Sequence, residues 1–327
     1  MPTTLPIHCT YLDTQKLDIE LADQHVLKII SYGSQPNPHL SAGHHFVVNL
    51  ETLESASTAE VWLSPEPVIH QNHNTISISM NRQVLCGHIM IDETQADSLE
   101  QSTQSAYDNI YTTLLDLDYP HLLRTWNYFP HINQHINSLE RYQAFCVGRA
   151  HATEAANQEN NQLPAASAIG THQGPLLVYF IAAKQPGGQL ENPIQTSAFQ
   201  YPKIYSPRSP SFSRAMIKRW DDSTQLYISG TASVAGHQTM HKGDIEQQFT
   251  QTLKNLRALT DKNNGQIPSA FNFSNVLWKV YIRDPAHYSL LKDLVNKTLL
   301  PSKPVLYLHG DICRADLLME IEGIYST

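Results

Sequence analysis

A strand–helix–strand unit occurs twice in this 327-residue chain, and that repetition constrains the fold more than any other feature. In the first copy, Gln83-Val-Leu-Cys-Gly-His-Ile-Met-Ile reads as a buried strand. Ser98 caps a helix from Leu99 to about Leu117, with Gln101 three residues beyond the cap. Leu99, Ala106, Ile110, Leu114 and Leu117 supply its apolar stripe. The strand Arg124-Thr-Trp-Asn-Tyr-Phe-Pro follows. The second copy runs through Leu226-Tyr-Ile-Ser-Gly-Thr-Ala-Ser-Val, a helix capped by Asp244 with Gln247 three residues later, and the strand Asn275-Val-Leu-Trp-Lys-Val-Tyr-Ile. Gln101 and Asn109 keep the same spacing as Gln247 and Asn255, and Trp126 and Trp278 stand at matching strands. These matches, with a capping box at equivalent places in both, read as an internal repeat of one strand–helix–strand unit.

Between the copies, Tyr142–Ala150, Ala166–Gly170 and Leu176–Ala183 read as strands, and the polar run Thr153–Gln162 as a loop. Upstream, His45–Leu50, Ala59–Ser64 and Ile76–Met80 have strand character, while residues 1–45 carry little pattern beyond loops at Gly33, Pro36, Pro38 and Gly43. A short helix is expected over Ala286–Thr298, then a strand at Val305–Leu308.

The chain closes on Gly310-Asp-Ile-Cys-Arg-Ala-Asp-Leu-Leu-Met-Glu-Ile-Glu-Gly. Leu317, Met319 and Ile321 alternate with Leu318, Glu320 and Glu322, the period of a strand. Exposed glutamates are common, so a solvated strand face is the ordinary reading. The other reading is a carboxyl set on a rigid strand beside a thiol and a guanidinium, Cys313 and Arg314, where it can move a proton. Cys313 beside Arg314 can be a nucleophile, yet no dedicated histidine base is assignable to it, and a pocket-lining thiol is favoured. Gln200–Ala215 holds three prolines together with Tyr201, Tyr205, Arg208 and Arg214. Such a stiff segment with so many aromatic and basic groups reads as a pocket wall. Arg149, Arg208 and Arg214 stand out in a chain of net charge −8, and paired guanidinium donors suit carboxylates. Together with Glu320 they point to a site for an anionic small molecule.

The net negative charge argues against general affinity for nucleic acid or a membrane surface. No apolar run approaches a membrane span, and Met1–Gln15 lacks the pattern of a secretory signal. The four scattered cysteines form no metal spacing, which points to a reducing compartment and a cytoplasmic location. His237 and His241 have metal-pair spacing but no evident third ligand, so no metal site is expected. Gly230–Gly236 lacks the lysine of a phosphate loop and reads as a tight strand end.

Gly230-Thr-Ala-Ser, Gly243-Asp-Ile-Glu-Gln-Gln, Asn255-Leu and Met319-Glu-Ile-Glu resemble the YjgF/RidA superfamily. Tyr142 to Arg149, Tyr201-Pro to Arg214-Ala, Ser229-Gly-Thr-Ala-Ser with Gly236-His, and Gly310-Asp-Ile-Cys-Arg together resemble the chorismatase family over most of residues 80–327. The resemblance implies an α/β (α+β) fold of two RidA-like lobes, each a mixed sheet with helices on one face. The expected division is 1–140 for the N-terminal lobe and 141–327 for the catalytic one. It implies an enzyme that takes chorismate, releases pyruvate and needs no metal or organic cofactor. Glu320 is the implied catalytic acid, kept protonated by burial or by a neighbour such as Glu322. Tyr142, Arg149, Tyr201 and Arg214 are the implied substrate-holding residues. The small Gly230 and the thiol of Cys313 match the aromatising branch, so 3-hydroxybenzoate is the expected product, with 4-hydroxybenzoate as a possible companion. The alternatives are a chorismate hydrolase giving a dihydroxycyclohexadiene carboxylate, a RidA-type imine or enamine deaminase, and a non-catalytic binding module. The deaminase reading is weakened by Pro304-Val305, where RidA proteins typically carry an arginine. A monomer or a trimer-like homo-oligomer is expected.

Overall fold

The structure, a computed structural model, describes all residues except 1–4, 23, 34–42, 55–57, 94–97, 137–138 and 262–264. The loop expected around Pro36 and Pro38 lies outside the described residues. The chain opens with β1 (His8–Asp13), α1 (Leu17–Glu20), β2 (His25–Tyr32), β3 (His45–Val48), β4 (Glu51–Thr52) and β5 (Thr58–Ser64). Strands β1, β5, β2 and β3 form a four-stranded sheet in that order. The weakly patterned first 45 residues therefore supply two of this sheet's four strands, β1 and β2. Their alternation is masked because Ile29 and Ile30 are both buried, one on each face.

Next come β6 (Ile69–His73), β7 (Ile76–Met80), β8 (Val84–Ile91), α2 (Leu99–Asp116), β9 (His121–Pro130), β10 (His135–Ile136), β11 (Leu139–Glu140), α3 (Arg141–Ala155), β12 (Ala165–Thr171) and β13 (Leu176–Ala183). Then follow β14 (Gly188–Leu190), β15 (Ala215–Arg219), β16 (Thr224–Thr231), β17 (Val234–Ala235), β18 (Gln238–Thr239), α4 (Ile245–Thr260), β19 (Leu277–Ile282), α5 (Tyr288–Thr298), β20 (Leu306–His309), β21 (Asp311–Ile312) and β22 (Met319–Ser326); β10 with β11 and β17 with β18 form small two-stranded ribbons. The first large sheet runs β21-β12-β9-β13-β8-β7-β6 and the second β4-β20-β19-β22-β16-β15-β14, so each takes one short edge strand from the other half of the chain. In each, one pair is parallel, β12 with β9 and β20 with β19, and the rest are antiparallel. The repeat is thus a whole sheet-and-helix lobe, larger than the strand–helix–strand unit legible in the sequence. The lobes change over between Ala183 and Gly188, later than the expected 140/141 boundary, because α3, β12 and β13 complete the first sheet.

Helix caps form where expected. Ser98 Oγ accepts from the Gln101 amide at 3.2 Å, and Asp244 Oδ1 from the Gln247 amide at 3.0 Å. The segment Tyr142–Ala150, read as a strand, is the heart of helix α3. A capping box of Glu140 and Gln143 starts it. Gly148 lets it lie against α2, since a Cβ there would run into the carbonyl oxygen of Glu100. In the repeat, α3 takes the place that α5 holds in the second lobe.

One apolar cluster packs under α2 and α3 and another under α4 and α5. A third joins residues of all three sheets in the layer between them. Trp126 lies in that shared layer, whereas Trp278 lies under the second lobe's helices. The two tryptophans matched by sequence therefore face opposite sides of their sheets. No helix among the described residues is long and apolar enough to cross a membrane.

Candidate active site

Strand β22 lies between β16 and β19. Its alternation holds: Met319 and Ile321 enter the helix-side core, and Glu320 and Glu322 enter the layer between the sheets. Glu320 is 4% and Glu322 3% exposed, so neither belongs to a solvated face. A central strand covered on both sides leaves no water for its carboxylates, and each must find protein partners or stay neutral.

Glu322 finds them. It accepts from Arg124 Nη2 at 2.7 Å, Trp126 Nε1 at 2.7 Å and Ser167 Oγ at 2.5 Å, and lies 3.1 Å from Lys279 Nζ. Burial opposes its charge, but Lys279, Arg124, Ser167 and Trp126 outweigh burial and hold the carboxyl below its ordinary range. Lys279 reaches on to Glu60 at 2.6 Å. Burial disfavours the ammonium, yet Glu322 and Glu60 raise it above the usual lysine value.

Glu320 shares none of these donors. Burial first, and then the charge of Glu322, push it up to about 8, against the pull of Arg124 and Arg214. At neutral pH it carries a proton it can give away. Its carboxyl occupies the space that Gly230 leaves open: a Cβ at that position would land on Oε1 of Glu320 and come within 3.0 Å of Ser167 Oγ. The glycine on β16 is therefore required by the acid itself, whatever it does for the shape of the pocket.

Glu320 opens into a cavity of about 710 Å³. Helix α3 presents Tyr142, Cys146 and Arg149 to it, at i, i+4 and i+7. That stripe was the available sign of a helix in a run read as a strand. Arg149 is 3% exposed; it donates to Thr125 Oγ1 at 3.3 Å, its guanidinium lies 4.8 Å from the Tyr107 ring, and its Nε has no hydrogen-bond partner. The proline-rich segment forms another wall with Tyr201, Tyr205, Phe212 and Arg214. Arg214 donates to the Thr196 carbonyl and to the Tyr201 hydroxyl, both at 2.7 Å, and its buried Nε is likewise unpartnered. Arg208 does not join the cavity; it pairs with Glu154 at the surface.

The turn before β22 completes the wall with Cys313 and Arg314. Arg314 stacks on Tyr205 at 4.3 Å and donates to the His237 carbonyl at 2.9 Å. Burial, with Glu320 adding, lifts the Cys313 thiol to about 12 against the pull of Arg314, so it is a neutral wall group. Arg283 ties the turn down through the carbonyls of Ile312 (3.1 Å), Arg314 (3.0 Å) and Leu317 (2.8 Å), and also holds Asp311 and Asn133. Among the described residues no cluster of three histidine, cysteine or acidic side chains could hold a metal ion.

Residues 60–182 match the family model described as chorismatase FkbO/Hyg5-like, N-terminal. The chain is 33% identical to a chorismatase of Streptomyces rapamycinicus over 335 residues, covering 99% of both proteins. It is 31% identical to a 3-hydroxybenzoate synthase of Streptomyces hygroscopicus over 313 residues, 92% of each. A crystal structure of a chorismatase superposes with a TM-score of 0.90 at 31% identity, over 99% of this chain and 100% of that one. The chain belongs to the chorismatase family. It is an enzyme, and its α+β architecture of paired lobes, each with helices on one sheet face, is the one expected.

Several residues of this chorismatase-family site escape a sequence reading. Arg124, Lys279 and Ser167 sit in strands recognisable as strands, but nothing local says which face each occupies. Glu60 is more than 200 residues from Lys279 in the chain. A buried-strand lysine or arginine is a signal in itself, since such groups are seldom buried unpaired; the partner is what the sequence withholds.

Proposed function

We propose that this enzyme converts chorismate to 3-hydroxybenzoate and pyruvate, with Glu320 as the general acid. The observation that carries the reading is a buried carboxyl, raised by its burial and by Glu322, facing a cavity that also holds two buried guanidinium groups with unpartnered Nε atoms. Chorismate carries two carboxylates and an enol ether. Arg149 and Arg214 bind the carboxylates through paired donors; Tyr142 and Tyr201 wall the ring, and Tyr201 is itself oriented by Arg214. Fixing the substrate in this way places the enol-ether methylene at the acid.

The proton of Glu320 goes to the methylene carbon, making a methyl group and an oxocarbenium ion. The ring carbon–oxygen bond then breaks with its electron pair moving to oxygen, and pyruvate leaves. The oxygen of the neighbouring ring hydroxyl bonds to the vacated carbon, and its bond to its original carbon breaks with the electron pair going to oxygen. The ring cation is quenched by loss of the ring proton on the newly oxygenated carbon, giving the aromatic product. That proton can return to the Glu320 carboxylate, so the acid is restored. Hydroxybenzoate plus pyruvic acid has the composition of chorismic acid, so no water is consumed, whereas the hydrolase reaction consumes one. Gly230 and Cys313 act on this choice by shaping the space beside the ring; the contact of Gly230 with the acid means that Cys313 is the cleaner position at which to test it.

Incubation with chorismate in ¹⁸O-labelled water, coupled to a lactate dehydrogenase readout for pyruvate, tests the proposal. Unlabelled 3-hydroxybenzoate alongside pyruvate is expected. Labelled dihydrodiol would assign the hydrolase, and ammonia release from an imino acid would assign the deaminase. Free Cys9, Cys86 and Cys146, all buried, support a cytoplasmic setting. The two lobes already cover each other's bare sheet faces within one chain, which supports a monomer; sedimentation tests that.

A further inference from the structure

A chain of buried charges leads from the N-terminal sheet to the proposed acid. Glu60 on β5 is fully buried and accepts from Trp62 Nε1 at 2.7 Å and from the hydroxyls of Tyr32 and Tyr179, each at 3.1 Å. Its Oε2 lies 2.6 Å from Lys279 Nζ, which in turn lies 3.1 Å from Glu322. Glu322 also pairs with Arg124. All four groups are at most 3% exposed. The cluster holds two carboxylates and two cations and is therefore neutral. Glu320 is a third carboxyl in the same layer, and among the described residues it has no ion pair.

We propose that Glu60 is a positioning residue for the reaction: by sharing Lys279 with Glu322 it leaves the charge of Glu322 less compensated, and that charge keeps the Glu320 carboxyl in its proton-donating form. The inference rests on the reading of Glu320 as the acid, and it gives the N-terminal sheet a part in the chemistry. The groups around Glu320 are Glu322 on its own strand, Arg124 on β9, Tyr281 across from it on β19, Arg214 ahead of β15, and Cys313 in the turn, while Lys279 on β19 stands across from Glu322. With Glu60 ionised, Lys279 is shared between two anions. With Glu60 replaced by a neutral group, Lys279 is left to Glu322 and compensates its charge more fully. In a poorly screened interior a compensated Glu322 opposes ionisation of Glu320 less, so the acid gives up its proton at lower pH. Merely stapling the two sheets together would not require a charge; an apolar trio of the same volume stabilises as well or better.

The test uses the full-length enzyme, with pyruvate release from chorismate followed from pH 6 to 10. Glu60→Gln keeps the side-chain volume and removes the charge. The alkaline loss of kcat/KM is expected to move down by about one pH unit, a roughly tenfold lower rate above the parent's limb. Glu60→Asp restores the parent limb. Lys279→Gln moves it upward, and it decides the matter alone if Glu60→Gln does not fold. A folded Glu60→Gln protein, or failing that a folded Lys279→Gln protein, whose limb coincides with the parent's overturns the inference. Glu320→Gln separates the two levels: if it keeps the parent's rate, the acid assignment has failed; if it is inactive while the Glu60→Gln limb stays put, only the role of Glu60 has failed.

Discussion

Strands β13 and β22 hold the same place in the two lobes, yet they are built from different chemistry. Each lies between an antiparallel neighbour entering the repeat's first long helix and one leaving it. Strand β13, Leu-Leu-Val-Tyr-Phe-Ile-Ala-Ala, is buried at every residue and carries no charge. Strand β22, Met-Glu-Ile-Glu-Gly-Ile-Tyr-Ser, is buried almost as fully and carries two carboxyls into the same inter-sheet layer. The fold clearly accepts an apolar strand at this position. The acids of β22 are then a cost to stability, and the first lobe supplies what limits it for Glu322: Arg124, Trp126 and Ser167 all come from it. The duplication made two similar surfaces, and the site arises where they stopped being similar. The helices diverge in the same way. Both α3 and α5 cross between parallel strands, but α3 turns Tyr142 and Arg149 to the cavity, while the buried residues of α5 pack only into its own lobe's core.

The comparison can be broken most decisively at Glu320. Glu320→Gln should lower kcat for pyruvate release by about 10² to 10⁴-fold, the contribution of a positioned general acid; a variant running at the parent's pace would make β22 as inert as β13. Next in size is Lys279→Met, which leaves the buried Glu60 without its ion-pair partner and Glu322 with Arg124 alone. A loss of about 3–5 kcal/mol in chemical denaturation is expected. Val178→Ala on β13 should cost about 1 kcal/mol, an ordinary core truncation of a small side chain.

A subtler outcome separates stability from function. The Glu320 carboxyl is raised in the fold, so the native state holds a proton that the unfolded chain releases at ordinary acidic pH. Its stability contribution is complete below the unfolded value and falls away as pH rises toward about 8. At pH 9 the parent buries an unpaired charge and Glu320→Gln does not. The inactive variant should therefore be the more stable by on the order of 1–3 kcal/mol at pH 9, and the gap should close near pH 5. In the same way, parent activity should decline above about pH 8 as the acid deprotonates. The smallest effect is expected at Arg283, which touches the turn but does not line the cavity. Arg283→Lys loses the fork of donors while keeping the charge. Loosening Cys313 in this way should change the ratio of 3-hydroxybenzoate to other products while moving kcat/KM by less than about tenfold.

Local pattern was enough for the repeat, the two capped helices, the alternating final strand and the proline-rich wall. It was enough because helices and strands write periods of 3.6 and 2 into the order of residues, and caps and prolines punctuate them. It misled at Tyr142–Ala150, where a helix packed tightly through Gly148 leaves so much of its surface buried that the apolar run imitates a strand. It also admitted Arg208, which chain order cannot distinguish from Arg214. What only the tertiary structure decided is the electrostatics. Whether Glu320 is a solvated side chain or holds a proton depends on Glu322 beside it, on Gly230 making room, and on the guanidinium groups of Arg124 and Arg214. The charge of Glu322 is in turn met by Lys279, which it shares with Glu60 of the N-terminal sheet. A carboxyl's affinity for its proton follows from burial and from neighbouring charge, and both are set by residues that meet only once the three sheets close on one another.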